Sequence, residues 1–207
     1  MAAEPGPSAA TRAPRTGTIE GRLELPDVPN RRRAERYLGA AVETPRTVQP
    51  IPAVAFLRGR VGGVTAAAAR ARLGQRDTTF TPAVVVVGIG STVEFPNGDP
   101  FFHNVFSYSS AQRFDLGRYP QGESKVVRFD EPGIVRVYCE VHETMRSAVI
   151  VVENPFHVVI DDQGSFTIRD VPAGRWQLEV WHPDLSSEVV DVTVEAGRAT
   201  RVTVSLS

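Results

Sequence analysis

Gly133-Ile-Val-Arg-Val-Tyr-Cys139-Glu-Val-His142-Glu-Thr-Met145 holds the chain's only cysteine and its only methionine besides Met1, with a histidine between them. Its opening alternates, so that Val135, Val137 and Cys139 share one face of a strand and Arg136 and Tyr138 the other. The spacing predicts a half-buried strand over Gly133–Tyr138, with the thiol on the core side at the strand's end, where a loop begins. His142 and Met145 follow at intervals of three, so a tight turn can close both onto the sulfur.

The same short-period pattern recurs outward along the chain. Runs of Val, Ile, Thr and Phe are punctuated by Gly, Pro, Asn and Asp, the signature of an antiparallel all-β sandwich. Strands are predicted at Thr18–Leu25, Ala53–Leu57, Ala83–Gly88, Thr92–Phe95, Lys125–Phe129 and Gly133–Tyr138. Further strands are predicted at Ala148–Val152, Phe166–Ile168, Trp176–Trp181, Val189–Val194 and Thr200–Val204. The one helical expectation is Val64–Leu73, whose four alanines, Ala66 to Ala69, favour a turn or two of helix. Pro26–Pro52, with several prolines and Arg31, Arg32 and Arg33, reads as a long irregular loop bearing a solvated charge cluster.

Composition bounds the possibilities. With 207 residues, 42% of them apolar, the chain can bury a core in one or two domains. A net charge of −1 with dispersed basic residues gives no sign of nucleic-acid binding. No stretch reaches the roughly 18 apolar residues of a membrane span. Residues 1–16, rich in Ala, Pro and Arg, read as a disordered lead-in without the apolar core of a secretory signal. A single cysteine excludes an internal disulfide.

The tail from Pro155 onward has its own character: Asp161-Asp-Gln-Gly-Ser-Phe-Thr-Ile, Val171-Pro-Ala-Gly174, then Trp176-Gln-Leu-Glu-Val-Trp181. Alternation puts Trp176, Leu178 and Val180 on one face of that last strand. This order of turn, Gly-x-Phe, Pro-x-Gly and aromatic strand resembles the carboxypeptidase regulatory-like (transthyretin-like) β-sandwich. The resemblance implies opening strands of the kind seen at Gly17-Thr-Ile-Glu-Gly-Arg-Leu-Glu-Leu and Ala53-Val-Ala-Phe-Leu-Arg-Gly, both far upstream. The expected organisation is therefore a discontinuous sandwich of residues 17–60 and 153–207, with a unit of residues 75–152 inserted. A plain tandem of two sandwiches is the alternative.

A second histidine, His103, stands 36 residues before Cys139 in Asp-Pro-Phe-Phe-His103-Asn-Val-Phe and is expected on a separate loop. His103, Cys139, His142 and Met145 make up the donor set of a trigonal His₂Cys copper site with a weak axial sulfur. Zinc is the chief rival, since Cys and His also suit it. A structural zinc site, however, prefers several thiolates or a carboxylate, and thioether is a poor zinc ligand. Taken singly, Cys139 and Met145 would read as small hydrophobe and filler.

Phe80–Val152 then resembles the cupredoxin family, in its plastocyanin and amicyanin branch, a Greek-key β-sandwich. The matching residues are Gly90-Ser-Thr-Val-Glu-Phe, His103-Asn104, Phe129-Asp-Glu-Pro-Gly, Tyr138-Cys139 and the Cys-x₂-His-x₂-Met spacing. The resemblance implies His103, Cys139 and His142 as equatorial ligands of one copper ion, Met145 as axial ligand, and Asn104 bracing the ligand loops. Glu143 and Thr144 depart from the proline or aromatic common after the loop histidine.

The expected function is one-electron transport between Cu(I) and Cu(II), without enzymatic activity, to a redox partner such as a c-type cytochrome or a dehydrogenase. The combination of sandwiches resembles exported proteins of methylamine-utilisation type and implies a periplasmic or exported location. The alternative is a copper delivery or sequestration module with a docking sandwich, against which the lack of a Met cluster counts. His157 and His182 read as surface or packing residues, too few to build the additional centres of a multicopper enzyme.

Overall fold

Strand faces follow the alternation of the sequence, as in Ser91–Pro96, where Ser91, Val93 and Phe95 are buried and the residues between them are half-buried. The computed structural model describes residues 15–26 and 51–207. In chain order the strands begin with β1 (Thr16–Glu24), β2 (Val54–Leu57), β3 (Arg70–Arg72), β4 (Gly74–Arg76), β5 (Thr79–Thr81) and β6 (Val84–Gly88). There follow β7 (Ser91–Pro96), β8 (His103–Tyr108), β9 (Arg113–Tyr119), β10 (Ser124–Phe129), β11 (Gly133–Tyr138) and β12 (Arg146–Val152). The chain closes with β13 (His157–Val159), β14 (Ser165–Pro172), β15 (Gly174–Trp181), β16 (Glu188–Val194) and β17 (Ala199–Ser205). The fold is all-β, and no described helix is long and apolar enough to cross a membrane.

The central strands form two facing sheets, in the orders β6-β12-β11-β8-β9 and β10-β7-β3, with the short hairpin β4-β5 beside β7. Between them lies a core that includes Phe80, Val93, Phe95, Val105, Phe129, Val135, Val137 and Val149, together with Cys139 and Met145. A second sandwich pairs sheets β14-β1-β17 and β13-β2-β15-β16. Its core takes Ile19 and Leu23 from β1, Ala55 and Leu57 from β2, and Phe166, Ile168, Leu178, Val180 and Val192 from the tail. The pairings are long-range: Gly21 lies opposite Phe166, and Ala55 opposite Val180.

The two sandwiches meet through a third apolar cluster of Val54, Phe56, Val84, Ala148, Ile150, Val152 and Trp181. Strands β2 and β12 are consequently buried on both faces, which is why Val54-Ala-Phe-Leu57 and Ala148-Val-Ile-Val-Val152 are unbroken apolar runs.

Four expectations are corrected. The pairing is mixed rather than purely antiparallel, since β1·β17, β6·β12 and β3·β7 run parallel. Each of these pairs joins strands separated by intervening chain, which parallel neighbours require. Val64–Leu73 is not helical: Thr65 to Ala69 have no regular secondary structure, and Arg70–Arg72 is β3. Ala66 and Ala67 instead pass close to Gly88, where an added Cβ would sit 2.7 Å from the Ala67 carbonyl oxygen and 2.9 Å from the Ala66 Cβ. Thr16, placed in the lead-in, is the first residue of β1. His103 opens strand β8 rather than sitting in a loop. The rest of the expected lead-in up to residue 14, and the loop with Arg31, Arg32 and Arg33 from 27 to 50, lie outside the described residues.

Candidate metal centre

Two chain segments bring the site together at one end of the central sandwich. The first is the loop between β7 and β8, which Asn97 ties into shape. Its buried amide donates to the carbonyls of Phe101 (2.8 Å) and Tyr119 (3.0 Å), and its Oδ1 accepts from the Asp99 N–H at 2.9 Å. The bound loop delivers His103 fully buried at the first position of β8.

The second segment is the turn between β11 and β12. Cys139, 4% exposed, lies just past the end of β11 on the face of Val135 and Val137. The Met145 N–H donates to the His142 carbonyl at 2.9 Å, and the Cys139 N–H to the Met145 carbonyl at 3.3 Å. These bonds close the turn, with Met145 fully buried in the same core as Cys139. Asn104, itself buried, accepts the Glu140 N–H at 2.6 Å and so links the two segments.

The ring nitrogens of His103 and His142 and the sulfur of Cys139 lie within 4.8 Å of one another. His103 Nδ1 is 3.6 Å from Cys139 Sγ and 3.2 Å from His142 Nδ1. Bonds of about 2.0 Å to nitrogen and about 2.3 Å to sulfur around one ion separate N from S by roughly 3.6–3.8 Å, and N from N by roughly 3.4–3.6 Å. The two separations from His103 therefore stand close to the spacing that a single transition-metal ion imposes, and the third lies within 4.8 Å.

Surroundings differentiate the two imidazoles. His103 Nε2 points away from the cluster to the Asp99 carboxylate, 2.8 Å away. Burial works to raise the Asp99 carboxyl. The backbone hydrogen bond from Thr78, the His103 contact and the Asp77 N–H outweigh it and hold Asp99 below the usual carboxylate range. His142 is only half-buried. The Phe101 ring stands 5.1 Å from the His103 ring and 5.2 Å from the His142 ring, covering both. Phe101 (40% exposed), Phe102 (56%) and Val141 (40%) form an apolar rim.

The sequence singles out the cluster residues and offers Phe101 as an apolar neighbour of His142, but gives Asp99 no role. The available signal was the i, i+4 spacing of Asp99 and His103, with Phe101 between them. His157 and His182 are not in the cluster. Burial lowers the pKa of each, and the His182 Nδ1 accepts the Asp184 N–H at 3.2 Å.

The protein is thus an all-β chain of two packed sandwiches with a His-Cys-His cluster, its first two members buried and His142 half-buried, in the central one. Residues 135–207 match the family model of the carboxypeptidase regulatory-like domain, a stretch that spans β13–β17 and also β11 and β12. No curated protein matches the chain. Among solved structures, a novel purple cupredoxin from Nitrosopumilus maritimus is similar at 22% identity over 39% of this chain and 98% of its own, with a TM-score of 0.36. Amicyanin from Paracoccus versutus (Thiobacillus versutus) is similar at 23% identity over 52% of this chain and 95% of its own, with a TM-score of 0.37. For a Cu-containing nitrite reductase (NirK) from Thermus scotoductus SA-01 the figures are 22% identity, 55% of this chain, 27% of that chain and a TM-score of 0.40.

Proposed function

We propose that His103, Cys139, His142 and Met145 hold one copper ion and that the protein is a one-electron carrier rather than an enzyme. The observation that carries this reading is the convergence of one thiol and two imidazole nitrogens within 4.8 Å. The donor set favours copper over zinc, because a buried thioether beside a single thiolate suits a soft ion and adds little for zinc. Bound copper would supply the Cu(II)/Cu(I) couple.

The chain's own groups would do the rest. Two strands of the sandwich and the Asn104 hydrogen bond hold the donors in place, so little need move between oxidation states. Phe101 excludes water from the imidazole pair. His142 is the more exposed imidazole, and its apolar rim is the contact face for a redox protein such as a c-type cytochrome or a dehydrogenase. An exported or periplasmic setting goes with this role.

We also infer that the second sandwich is discontinuous, residues 17–60 and 153–207 enclosing the copper unit at 75–152. The pairing of β1 with β14 and β17, and of β2 with β13 and β15, supports this division.

Titration of the copper-free protein with Cu(II) under an absorption spectrometer tests the site. The expected result is an intense visible thiolate-to-copper band saturating at one equivalent, with a reversible one-electron wave in voltammetry. A colourless or weakly absorbing adduct would rule the assignment out.

A further inference from the structure

The hairpin turn joining β4 and β5 is built in a costly way. Its central residues, Asp77 and Thr78, both have positive φ, 53° and 56°, although neither is glycine. This is the left-handed region that a two-residue hairpin turn of this kind demands, where Asn-Gly or Asp-Gly usually serves. For a β-branched residue such as Thr78 the conformation is strained, and such strain persists where the surroundings fix it for a purpose.

What the strain accomplishes is specific. It aims two consecutive backbone N–H groups at one buried carboxylate: the Asp77 N–H donates to Asp99 Oδ1 at 2.6 Å and the Thr78 N–H to Asp99 Oδ2 at 3.0 Å. The Asp99 main chain is fixed as well, its N–H donating to Asn97 Oδ1. Asp99 is 3% exposed and, among the described residues, forms no ion pair with a lysine or arginine; its charge is turned instead on His103 Nε2, 2.8 Å away.

Donor and acceptor roles follow from valence. An ionised carboxylate only accepts, so the proton on a neutral His103 must sit on Nε2. Nδ1 then carries a lone pair, and Nδ1 is the atom that faces Cys139 Sγ and His142 Nδ1. The opposite tautomer would set a lone pair against the buried carboxylate.

We propose that Asp99, held by the Asp77–Thr78 turn, is a positioning residue that fixes His103 as the Nε2–H tautomer and tunes the metal through it. Part of this inference rests on the copper reading: a carboxylate behind a ligating imidazole makes it a stronger donor and favours the more highly charged ion. Asp99 therefore lowers the reduction potential. The turn, Asp99 and His103 form one line of support running from strained backbone to Nδ1.

Three measurements on the full chain test it. In the copper-free protein, long-range ¹H–¹⁵N NMR at a pH where His103 is neutral should find the proton on Nε2. A proton on Nδ1 overturns the proposal without any variant or any metal. In the loaded protein, Asp99→Asn keeps an acceptor for Nε2–H but loses the charge. It should retain the colour while the preference for Cu(II) over Cu(I) falls roughly tenfold, about 59 mV upward in potential. Asp99→Leu removes both roles and should lower Cu(II) affinity by roughly 10- to 100-fold, the cost usual for losing such a partner. A coloured Asp99→Asn protein with the wild-type potential overturns the tuning role. A wild-type protein with no thiolate-to-copper band would instead remove the copper reading, while the tautomer of His103 would still decide what Asp99 does.

Discussion

Arg146, the residue after Met145, grips Asp184 of the second sandwich with both terminal nitrogens of its guanidinium, Nη2 lying 2.9 Å from Asp184 Oδ2. The far end of the candidate ligand loop is thereby fastened across the junction, beside the apolar cluster that contains Trp181 and Ile150. The Arg146 hydrogen bond is the main cause holding the Asp184 carboxyl below its ordinary pKa.

The pH dependence of that pair follows from the direction of the shift. A carboxyl with a depressed folded pKa adds stability that is fully present above its unfolded pKa, near 3.9, and is lost as pH falls through the folded value. The Asp184 side chain is 51% exposed, so solvent screens the pair and its worth is about 1 kcal/mol or less. Thermal midpoints of copper-free wild type and Asp184→Asn should differ by a constant amount above about pH 5 and converge toward pH 2. A gap unchanged at pH 2 would show that the pair's charge is irrelevant.

Substitution at the two proposed sulfur donors would separate holding the ion from tuning it. Cys139→Ser nearly preserves volume but supplies no soft thiolate, so the visible band should vanish while circular dichroism and the unfolding midpoint of the copper-free form stay close to wild type. Met145→Leu should keep a coloured site with an altered potential, because a thioether would be the weakest donor of the proposed set. If Cys139→Ser kept the wild-type spectrum, the sulfur would not be a ligand.

Asn104, itself buried, links β8 to the candidate ligand turn by accepting the Glu140 N–H at 2.6 Å, in a bond that is only partly buried. Asn104→Ala leaves the Glu140 N–H without its acceptor, at a cost of roughly 1–3 kcal/mol. The unfolding midpoint should drop accordingly and copper should leave faster, whereas Asn104→Asp, which keeps the acceptor, should lose less. Equal copper off-rates in Asn104→Ala and wild type would confine Asn104 to ordinary fold stability.

How legible all this was in the chain depends on which rule each segment obeys. Gly133–Tyr138 alternates cleanly, and the strand occupies those same residues. Strand β8 breaks the rule, because it buries three polar residues: His103 and Asn104 at the candidate site, and Ser107, whose hydroxyl accepts the Ser109 N–H. Strand β9 alternates through Phe114 and Leu116 but is interrupted at Gly117, whose φ is positive. Strands β3, β4 and β5 are three residues each, too short to show a period. At Ala66–Ala69, intrinsic helix propensity was outweighed by tertiary backbone pairing, the Ala66 N–H donating to the Glu153 carbonyl and the Ala69 carbonyl accepting the Thr92 N–H. Cys139, His142, Met145 and His103 stood out by scarcity. Asp99 did not, since nothing in a common carboxylate reveals that a turn 22 residues earlier in the chain will aim two N–H groups at it.

Charge around the exposed imidazole gives the docking prediction. Beside the rim of Pro100, Phe101, Phe102 and Val141 stand Glu140 and Glu143, both exposed. They are not equivalent, because Glu140 Oε2 lies 3.4 Å from Arg118 Nη2 and shares its field with that cation. With both side chains 63% exposed the pair is loose, but it offsets much of the Glu140 charge seen by an approaching protein. Glu143 should therefore contribute more to steering a cationic partner, such as a basic cytochrome, toward His142. Such steering acts on the association rate and fades as salt screens it beyond a Debye length of about 10 Å at 0.1 M. Stopped-flow electron transfer to a basic cytochrome, followed across ionic strength, should give a shallower salt slope for Glu143→Gln than for Glu140→Gln, and a steeper slope for Arg118→Gln than for wild type. The limiting rate at high salt should be similar in all of them, since the apolar contact is unchanged. Identical slopes in the four proteins would remove these charges from recognition and leave the apolar rim to provide it alone.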